Sequence, residues 1–253
     1  MAMPKKIHYV WLGSKPLSKR DAGYIEGWKK LNPEFEVRAW SEKDIDLDKY
    51  PLAKLAYEEG RWALVADVVR MAIIYREGGI YFDTDVELLK PLDPLLRYDA
   101  FAGWESNYWF TTAAFGAKAG SPWIQKILKR YELPVEKKIS TDTFLMTVHS
   151  PSVYAKDIYG LELDGKTRVY GDGKFAVFAQ EYFSPKHYMT GKERVTENTI
   201  AFHHYGGSWH TSVERLKAAS AKMGPKLLGE KGYGQFEKQF NKSLEKKIRK
   251  ELP

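Results

Sequence analysis

Two carboxylates set two residues apart, Asp83-Thr84-Asp85, close a run that begins Gly78-Gly79-Ile80-Tyr81-Phe82. In extended backbone, side chains at i and i+2 point to the same side, so these acids converge. They repel each other unless something positive sits between them. A divalent cation does so, and hard Mg²⁺ or Mn²⁺ takes oxygen ligands of this kind. The apolar run ahead of the pair reads as a buried strand, and the C-terminal edge of an α/β sheet is where ligands bind. A solvated turn is the plain alternative, although exposed loop acids seldom follow so apolar a strand. A calcium-binding EF-hand loop is excluded, because its sixth position needs glycine and Leu88 stands there. A phosphoaspartyl phosphatase stays open. Glu87 weakens it, since Thr or Val usually occupies that fifth position.

Three further groups could share the site. Asp67 and Arg70 lie three apart in the segment Arg61 to Glu77 and are its sole charged residues between Trp62 and Tyr75. That spacing puts them on one helix face. They form either a structural ion pair or a polar grip on a ligand at a pocket floor. The run His203-His204-Tyr205 precedes Gly206-Gly207-Ser208-Trp209. Neighbours on a strand face opposite sides, so at most one histidine can join two carboxylates around a metal. The glycine pair allows a mobile loop that closes Trp209 over a ligand. Tyr9-Val10-Trp11 is either core or an aromatic platform for a nucleotide base.

The elements that must position these groups follow from apolar periodicity and from turn residues. Strands are expected at Lys6 to Leu12, Glu34 to Trp40, Ile80 to Phe82, Ala100 to Trp104, Thr112 to Ala117, Thr167 to Tyr170, Phe175 to Ala179 and Ile200 to Tyr205. Helices are expected at Ser18 to Leu31, Pro51 to Glu59, Arg61 to Glu77, Pro122 to Tyr131 and Asp142 to His149. Two more are expected at Val213 to Met223 and Gln235 to Glu251, divided by Gly224-Pro225 and the glycines from 229 to 234. The helix at 61–77 is apolar nearly all round and should be buried on most faces. The opening strand–helix–strand order predicts a βαβ unit and a parallel sheet.

The chain has 253 residues, 43% of them hydrophobic, and no cysteine. That composition is globular and excludes disulfides, thiolate zinc sites and cysteine nucleophiles. The start, MAMPKKIHYVWLG, does not resemble a signal peptide. No stretch approaches the roughly 18 apolar residues of a membrane span. A cytoplasmic place is therefore expected. Of the net charge of +7, residues 211–253 carry +6 (11 Lys and Arg against 5 Glu), so the body has no charge suited to nucleic acid. In that tail Phe236, Phe240, Leu244, Ile248 and Leu252 recur every fourth residue. Such a stripe either docks on the body or lies on an anionic membrane, at its inner face.

The stretches IHYVWLG, WALVADVVRMAIIYREGGIYFDTD and HHYGGSW resemble glycosyltransferase family 32, the sugar transferases with a DXD sugar-binding region. Their core is similar to the clostridial toxin glucosyltransferase domains. The resemblance covers most of residues 4–210, and its most specific part runs from Asp67 to Asp85. It implies a GT-A-type, Rossmann-like mixed sheet flanked by helices over 1–210, followed by a basic helical tail over 211–253. It also implies a retaining transferase with a nucleotide-sugar donor, a UDP-sugar ahead of GDP-mannose. The acceptor would be a saccharide, a lipid-linked sugar or a protein. Carried over residue by residue, Val10 and Trp11 would contact the base, and Asp67 and Arg70 the sugar hydroxyls. Asp83 would touch ribose, sugar or metal, with Tyr81 and Thr84 beside it on the donor. Asp85 would hold Mn²⁺ or Mg²⁺ and the diphosphate. His204 or its neighbour His203, with Ser208, would complete the metal shell, and Trp209 would close on the diphosphate. Among the acceptor-side positions Asp142 is the single candidate. A non-catalytic nucleotide-sugar-binding module is the other reading of the same residues.

Overall fold

A computed structural model describes residues 2–135, 139–206 and 224–251 of the chain. The chain opens with β1 (Lys6–Val10), α1 (Lys19–Leu31) and β2 (Glu36–Trp40). The Ser18 hydroxyl caps α1 by accepting from the Asp21 amide. β1 pairs with β2 in parallel register, Ile7 against Val37, as the opening βαβ pattern predicts.

Next come α2 (Pro51–Glu58), α3 (Trp62–Glu77), β3 (Gly79–Phe82), β4 (Val86–Leu88), β5 (Ala100–Trp104) and β6 (Phe110–Ala117). α4 (Pro122–Tyr131), α5 (Thr141–Tyr159), β7 (Arg168–Tyr170), β8 (Phe175–Phe178), a single turn α6 (Gln180–Phe183) and β9 (Ala201–His203) follow, and α7 (Gly224–Glu251) ends the described chain. Seven strands form one mixed sheet in the order β2-β1-β3-β6-β5-β8-β7, while β4 and β9 pair antiparallel beside it. The architecture is the expected α/β sheet flanked by helices.

Strand alternation divides the core into two layers. Ile80 and Phe82 of β3 join Ile7, Trp28 and Phe101 on the α1 side. Tyr81 between them joins the α3 side, with Val68, Met71 and Trp123. α3 is buried along most of its length, from Leu64 to Ile74 without a break. Asp67 and Arg70 are therefore enclosed among aliphatic side chains. Gly78 and Gly79 join α3 to β3 with φ of +65° and +103°, the left-handed region that glycine enters without strain.

His8 ties the front of this sheet together. Its Nε2 lies 2.9 Å from the Gly78 carbonyl and its Nδ1 3.0 Å from Trp40 Nε1. An indole nitrogen can only donate, so Nδ1 accepts and Nε2–H donates, which fixes one neutral tautomer. Burial holds the His8 pKa down to about 4.

Two expectations change. The helix expected to stop at His149 runs on to Tyr159 through Pro151. Proline cannot donate to the Thr147 carbonyl four residues back, but the Tyr131 and Ser150 hydroxyls do, at 3.1 and 3.3 Å, so the usual penalty is offset. The glycines between 229 and 234 do not divide the tail, because α7 passes through them as one helix of 28 residues. The expected helix from Val213 to Met223 lies outside the described residues. Among the described residues no helix is long and apolar enough to cross a membrane.

α7 docks by its C-terminal half. Leu244 and Ile248 pack with Val153 of α5 and with Trp109, and Trp109 Nε1 donates to Asn241 Oδ1 at 2.7 Å. Lys156 to Glu245 (2.9 Å) and Arg249 to Asp157 (2.7 Å) flank this contact.

Candidate functional site

Asp83, Thr84 and Asp85 form the turn that leaves β3. The Asp83 amide donates to Ala113 of β6, and the Val86 amide donates back to the Asp83 carbonyl, which fixes the turn. The two carboxylates meet different surroundings. Asp83 is drawn to the α3 side: Tyr81 Oη donates to its Oδ1 at 2.8 Å, and Arg70 Nη2 lies 3.2 Å from the same oxygen. Arg70 Nη2 also lies 3.2 Å from Asp67 Oδ1, so one guanidinium stands between two carboxylates. Its remaining donors are used as well, Nε on the Ala66 carbonyl and Nη1 on Thr112. The Tyr81 ring lies beneath it, 4.9 Å away.

Burial pushes the Asp67 carboxyl up to about 6, against the pull of Arg70 and with a further push from Asp83. Burial would by itself lower Arg70, but Asp83, Tyr81 and Asp67 outweigh it and hold the guanidinium charged. The expected shared face of Asp67 and Arg70 is observed, and Asp83 is its third member.

Asp85 faces the other way, toward β9. Its Oδ2 accepts from the Gly206 amide at 2.6 Å, and its Oδ1 lies 3.5 Å from His203 Nε2. Burial would raise this carboxyl; His203 and the Gly206 amide outweigh burial and hold it at about 2. The same contact works in reverse on His203, where Asp85 overcomes burial and raises the ring's pKa. A Cβ on Gly206 would lie 2.3 Å from Arg20 Nη2 and 3.2 Å from Asp85 Oδ2, so any larger residue there displaces the Arg20 side chain.

The structure brings His203, not the expected His204, to the carboxylate pair. Val86 opposes His203 in the β4–β9 register, and the next side chain points to the opposite side. His204 accordingly meets Glu87, with Nε2 to Oε2 2.9 Å, and stacks on Tyr24. Among the described residues, Asp83, Asp85 and His203 form a group whose ligand atoms all lie within 4.8 Å of one another. His203 Nδ1 is buried without a hydrogen-bond partner. Two carboxylates and an imidazole with spare capacity suit a divalent cation of intermediate to hard character.

The other expected residues divide. Val10 is a core side chain, and Trp11 stands half-buried at the end of β1 with its Nε1 on the Lys15 carbonyl. Tyr81 and Thr84 are buried beside the pair. Ser208 and Trp209 lie outside the described residues, and so does the side chain of Asp142.

Two residues escaped sequence reasoning. Glu105 directly follows β5 and interacts electrostatically with His203, Tyr205 and Asp83. Burial raises its carboxyl, His203 and Tyr205 oppose the shift, and Asp83 adds to it. An acid directly after a fully buried strand is the same signal that marks Asp83, and it was readable. Arg20 reaches the site from the first turn of α1, and nothing in its helical spacing marks it.

Residues 18–102 match the family described as "Glycosyltransferase sugar-binding region containing DXD motif". Over 132 residues, 51% of the chain, the sequence is 30% identical to inositol phosphoceramide mannosyltransferase 3 of Schizosaccharomyces pombe, of which the match takes in 37%. Over 100 residues, 36% of the chain, it is 31% identical to the initiation-specific alpha-1,6-mannosyltransferase of Candida albicans, of which it takes in 26%. The chain thus spans well under half the length of either relative. In structure it is similar to the PaToxG glycosyltransferase, with a TM-score of 0.53 and 17% identity over 62% of this chain and 69% of that one, a likeness of fold.

Proposed function

Because residues 18–102 are a DXD-containing glycosyltransferase sugar-binding region on a GT-A-type fold, we propose that the protein transfers a sugar from a nucleotide-sugar donor with retention at the anomeric carbon. The observation that carries this reading is the convergence of Asp83, Asp85 and His203 next to the Asp67–Arg70 pair. When bound there, a divalent cation, Mn²⁺ or Mg²⁺, supplies positive charge to the diphosphate leaving group.

The chain's own residues do the rest. Arg70 and Tyr81 fix Asp83, and the Gly206 amide fixes Asp85, so both carboxylates are oriented before a donor arrives. Asp67 forms the floor on which sugar hydroxyls are held, with Arg70 positioning it through the ion pair, and Trp11 stands at the base side. The anomeric carbon–phosphate oxygen bond breaks while the acceptor oxygen attacks from the same face, and its proton passes to the departing phosphate. Glu105, which interacts with His203, Tyr205 and Asp83, is the acid assigned to accept a hydrogen bond from the acceptor hydroxyl. A UDP-sugar is the donor favoured by the toxin resemblance, and GDP-mannose is its competitor given the mannosyltransferase relatives. A saccharide or lipid-linked acceptor fits the same relatives.

The phosphatase reading needs an aspartate free to attack phosphorus. Asp83 speaks against it, because Arg70 and Tyr81 engage its oxygens.

A thermal-shift panel of UDP- and GDP-sugars with Mn²⁺ tests the proposal. The cognate donor stabilises the chain by mass action, about 2.7 kcal/mol at 100 times its Kd. Asp85→Asn should remove that shift and cut donor hydrolysis at least about 100-fold in a chain that still folds. Hydrolysis within a few-fold of wild type would reject the metal assignment.

A further inference from the structure

The C-terminal ends of β3, β5 and β8 lie along one edge of the sheet. β6 runs antiparallel to both β3 and β5, and β8 runs parallel to β5, so the three strands share a direction. β3 delivers Asp83 and Asp85 to that edge. β5 delivers Glu105 and, two residues on, Asn107, while β8 delivers Gln180 and Glu181. Ligands of an α/β fold bind outside the carboxyl ends of its strands, and here that edge offers a second place beside the carboxylate pair.

The second place is a cleft of about 130 Å³ between the loop after β5 and the single turn α6. Its lining is polar: the Asn107 and Gln180 carboxamides, the Glu181 carboxylate and the Arg194 guanidinium. Gly165 lets the walls approach each other, with φ of +74°, and a Cβ there would come within 2.6 Å of Asn107 Oδ1. The walls themselves are held by hydrogen bonds. Trp104 Nε1 donates to the Lys166 carbonyl at 2.9 Å, the Ala179 amide to Thr167 Oγ1 at 2.8 Å, and the Glu105 amide to the Trp109 carbonyl at 2.8 Å.

The side chains in the cleft are less fully engaged. Gln180 is half-buried, and its Nε2 has no hydrogen-bond partner among the described residues. An enclosed amide in that condition costs free energy that a ligand oxygen recovers. Its terminal torsion is soft, so the carboxamide can turn to meet a ligand. Glu181 lies 3.9 Å from Arg194, at the margin of an ion pair, and Arg194 is exposed. The cleft also borders the carboxylate site on two sides. Asn107 shares its loop with Glu105, and Pro185 follows Ser184, whose hydroxyl acts on Tyr205. The Tyr205 ring packs on His203 with 4.0 Å between centroids.

We propose, on the premise of the sugar transfer described above, that this cleft is the acceptor subsite and that its occupant is a sugar ring. Two carboxamides and a carboxylate each present two adjacent hydrogen-bonding atoms, which suits the neighbouring hydroxyls of a saccharide. Glu181 opposes Arg194, so the cleft is not an anion site, and a lipid chain would meet mostly polar walls. A ring held by Asn107, Gln180 and Glu181 presents a free hydroxyl along the sheet edge to Glu105. That oxygen bonds to the anomeric carbon, the nucleoside diphosphate leaves with the electrons of the broken bond, and the hydroxyl proton goes to its phosphate.

The test gives the full chain its donor, Mn²⁺ and a panel of methyl glycosides of glucose, galactose and mannose in both anomeric forms. Transfer is read as the disaccharide glycoside formed, and donor binding as the thermal shift. Wild type should glycosylate at least one panel member with saturation. Gln180→Ala and Glu181→Gln should each raise the KM for that glycoside about 10-fold, the loss of one or two hydrogen bonds, while the donor still shifts their melting. Asn107 is exposed, so Asn107→Ala gives the same reading should Gln180→Ala fold poorly. If no donor shifts wild type, the transfer reading falls and the cleft with it. If a donor shifts wild type and no glycoside is glycosylated, the cleft assignment alone is overturned. A glycoside KM that is the same in wild type and in Asn107→Ala combined with Glu181→Gln also overturns it.

Discussion

His8 in β1 and His203 in β9 are both largely enclosed by protein, and they differ in how completely their ring nitrogens are engaged. His8 has a partner on each side, Trp40 and Gly78, and burial keeps it neutral. His203 has Asp85 on one nitrogen and no hydrogen-bond partner on the other. The same division separates two charged groups nearby. Arg70 uses its guanidinium on Asp67, Asp83, Ala66 and Thr112, whereas Asp85 leans on one backbone amide and one imidazole. Saturated polar groups hold the framework, and partly satisfied ones are left with capacity for a ligand. Burial follows the same division, with His8 fully enclosed and His203 partly exposed.

Three measurements can break or sharpen that contrast. The largest effect is expected at Arg70. Arg70→Leu leaves Asp67 and Asp83 facing each other across an apolar gap and should cost about 3–5 kcal/mol in urea unfolding. A cost below about 1 kcal/mol would mean that the pocket floor is wet and the saturation argument fails there.

His8 comes next, and it is read through pH. Its folded pKa, about 4, lies below the unfolded value near 6.5, so between those values the unfolded chain binds more protons. Stability should fall as pH drops through that window, by roughly 3 kcal/mol from this residue. His149, also buried and lowered to about 3, adds a loss of the same sign. Unfolding of His8→Gln beside wild type at neutral and acid pH isolates the His8 share; a pH slope identical in the two chains would contradict it.

The smallest effect on stability is expected at His203. His203→Ala should change the melting temperature little and lower donor hydrolysis about 10-fold, with partial recovery in excess Mn²⁺. A large loss of stability, with no response to Mn²⁺, would place His203 on the framework side with His8.

Much of this arrangement was legible in the residues. The D-x-D pair behind an apolar strand, the Asp67–Arg70 spacing and the opening βαβ unit were all local patterns with a physical reading. The histidine was not, because choosing between His203 and His204 needs the register of β9 on β4, a long-range pairing. Asp83 joining Asp67 around Arg70 likewise depends on how α3 packs on β3. Pro151 misled for a third reason: the hydroxyls that compensate it come from α4 and from its own preceding turn. The tail stripe suggested a choice between docking and lipid. The winding of a four-residue row lets one helix present Leu244 and Ile248 to the body and Phe236 and Phe240 outward.

The glycine pair between α3 and β3 has a consequence for how such a chain can change over generations. A side chain on Gly78 would come within 2.7 Å of the Ala119 amide, and one on Gly79 within 2.8 Å of the Lys6 carbonyl. Helix and strand are thus joined with no loop between them and no room to add one. The thirteen-position spacing from Arg70 to Asp83 acts as a ruler of fixed length. A codon gained or lost in that interval would turn the β3 side chains to the wrong layer and carry the carboxylates away from the guanidinium in one event. Insertions and deletions must therefore accumulate outside this interval, where loops can absorb them, while the interval itself can drift only by substitution.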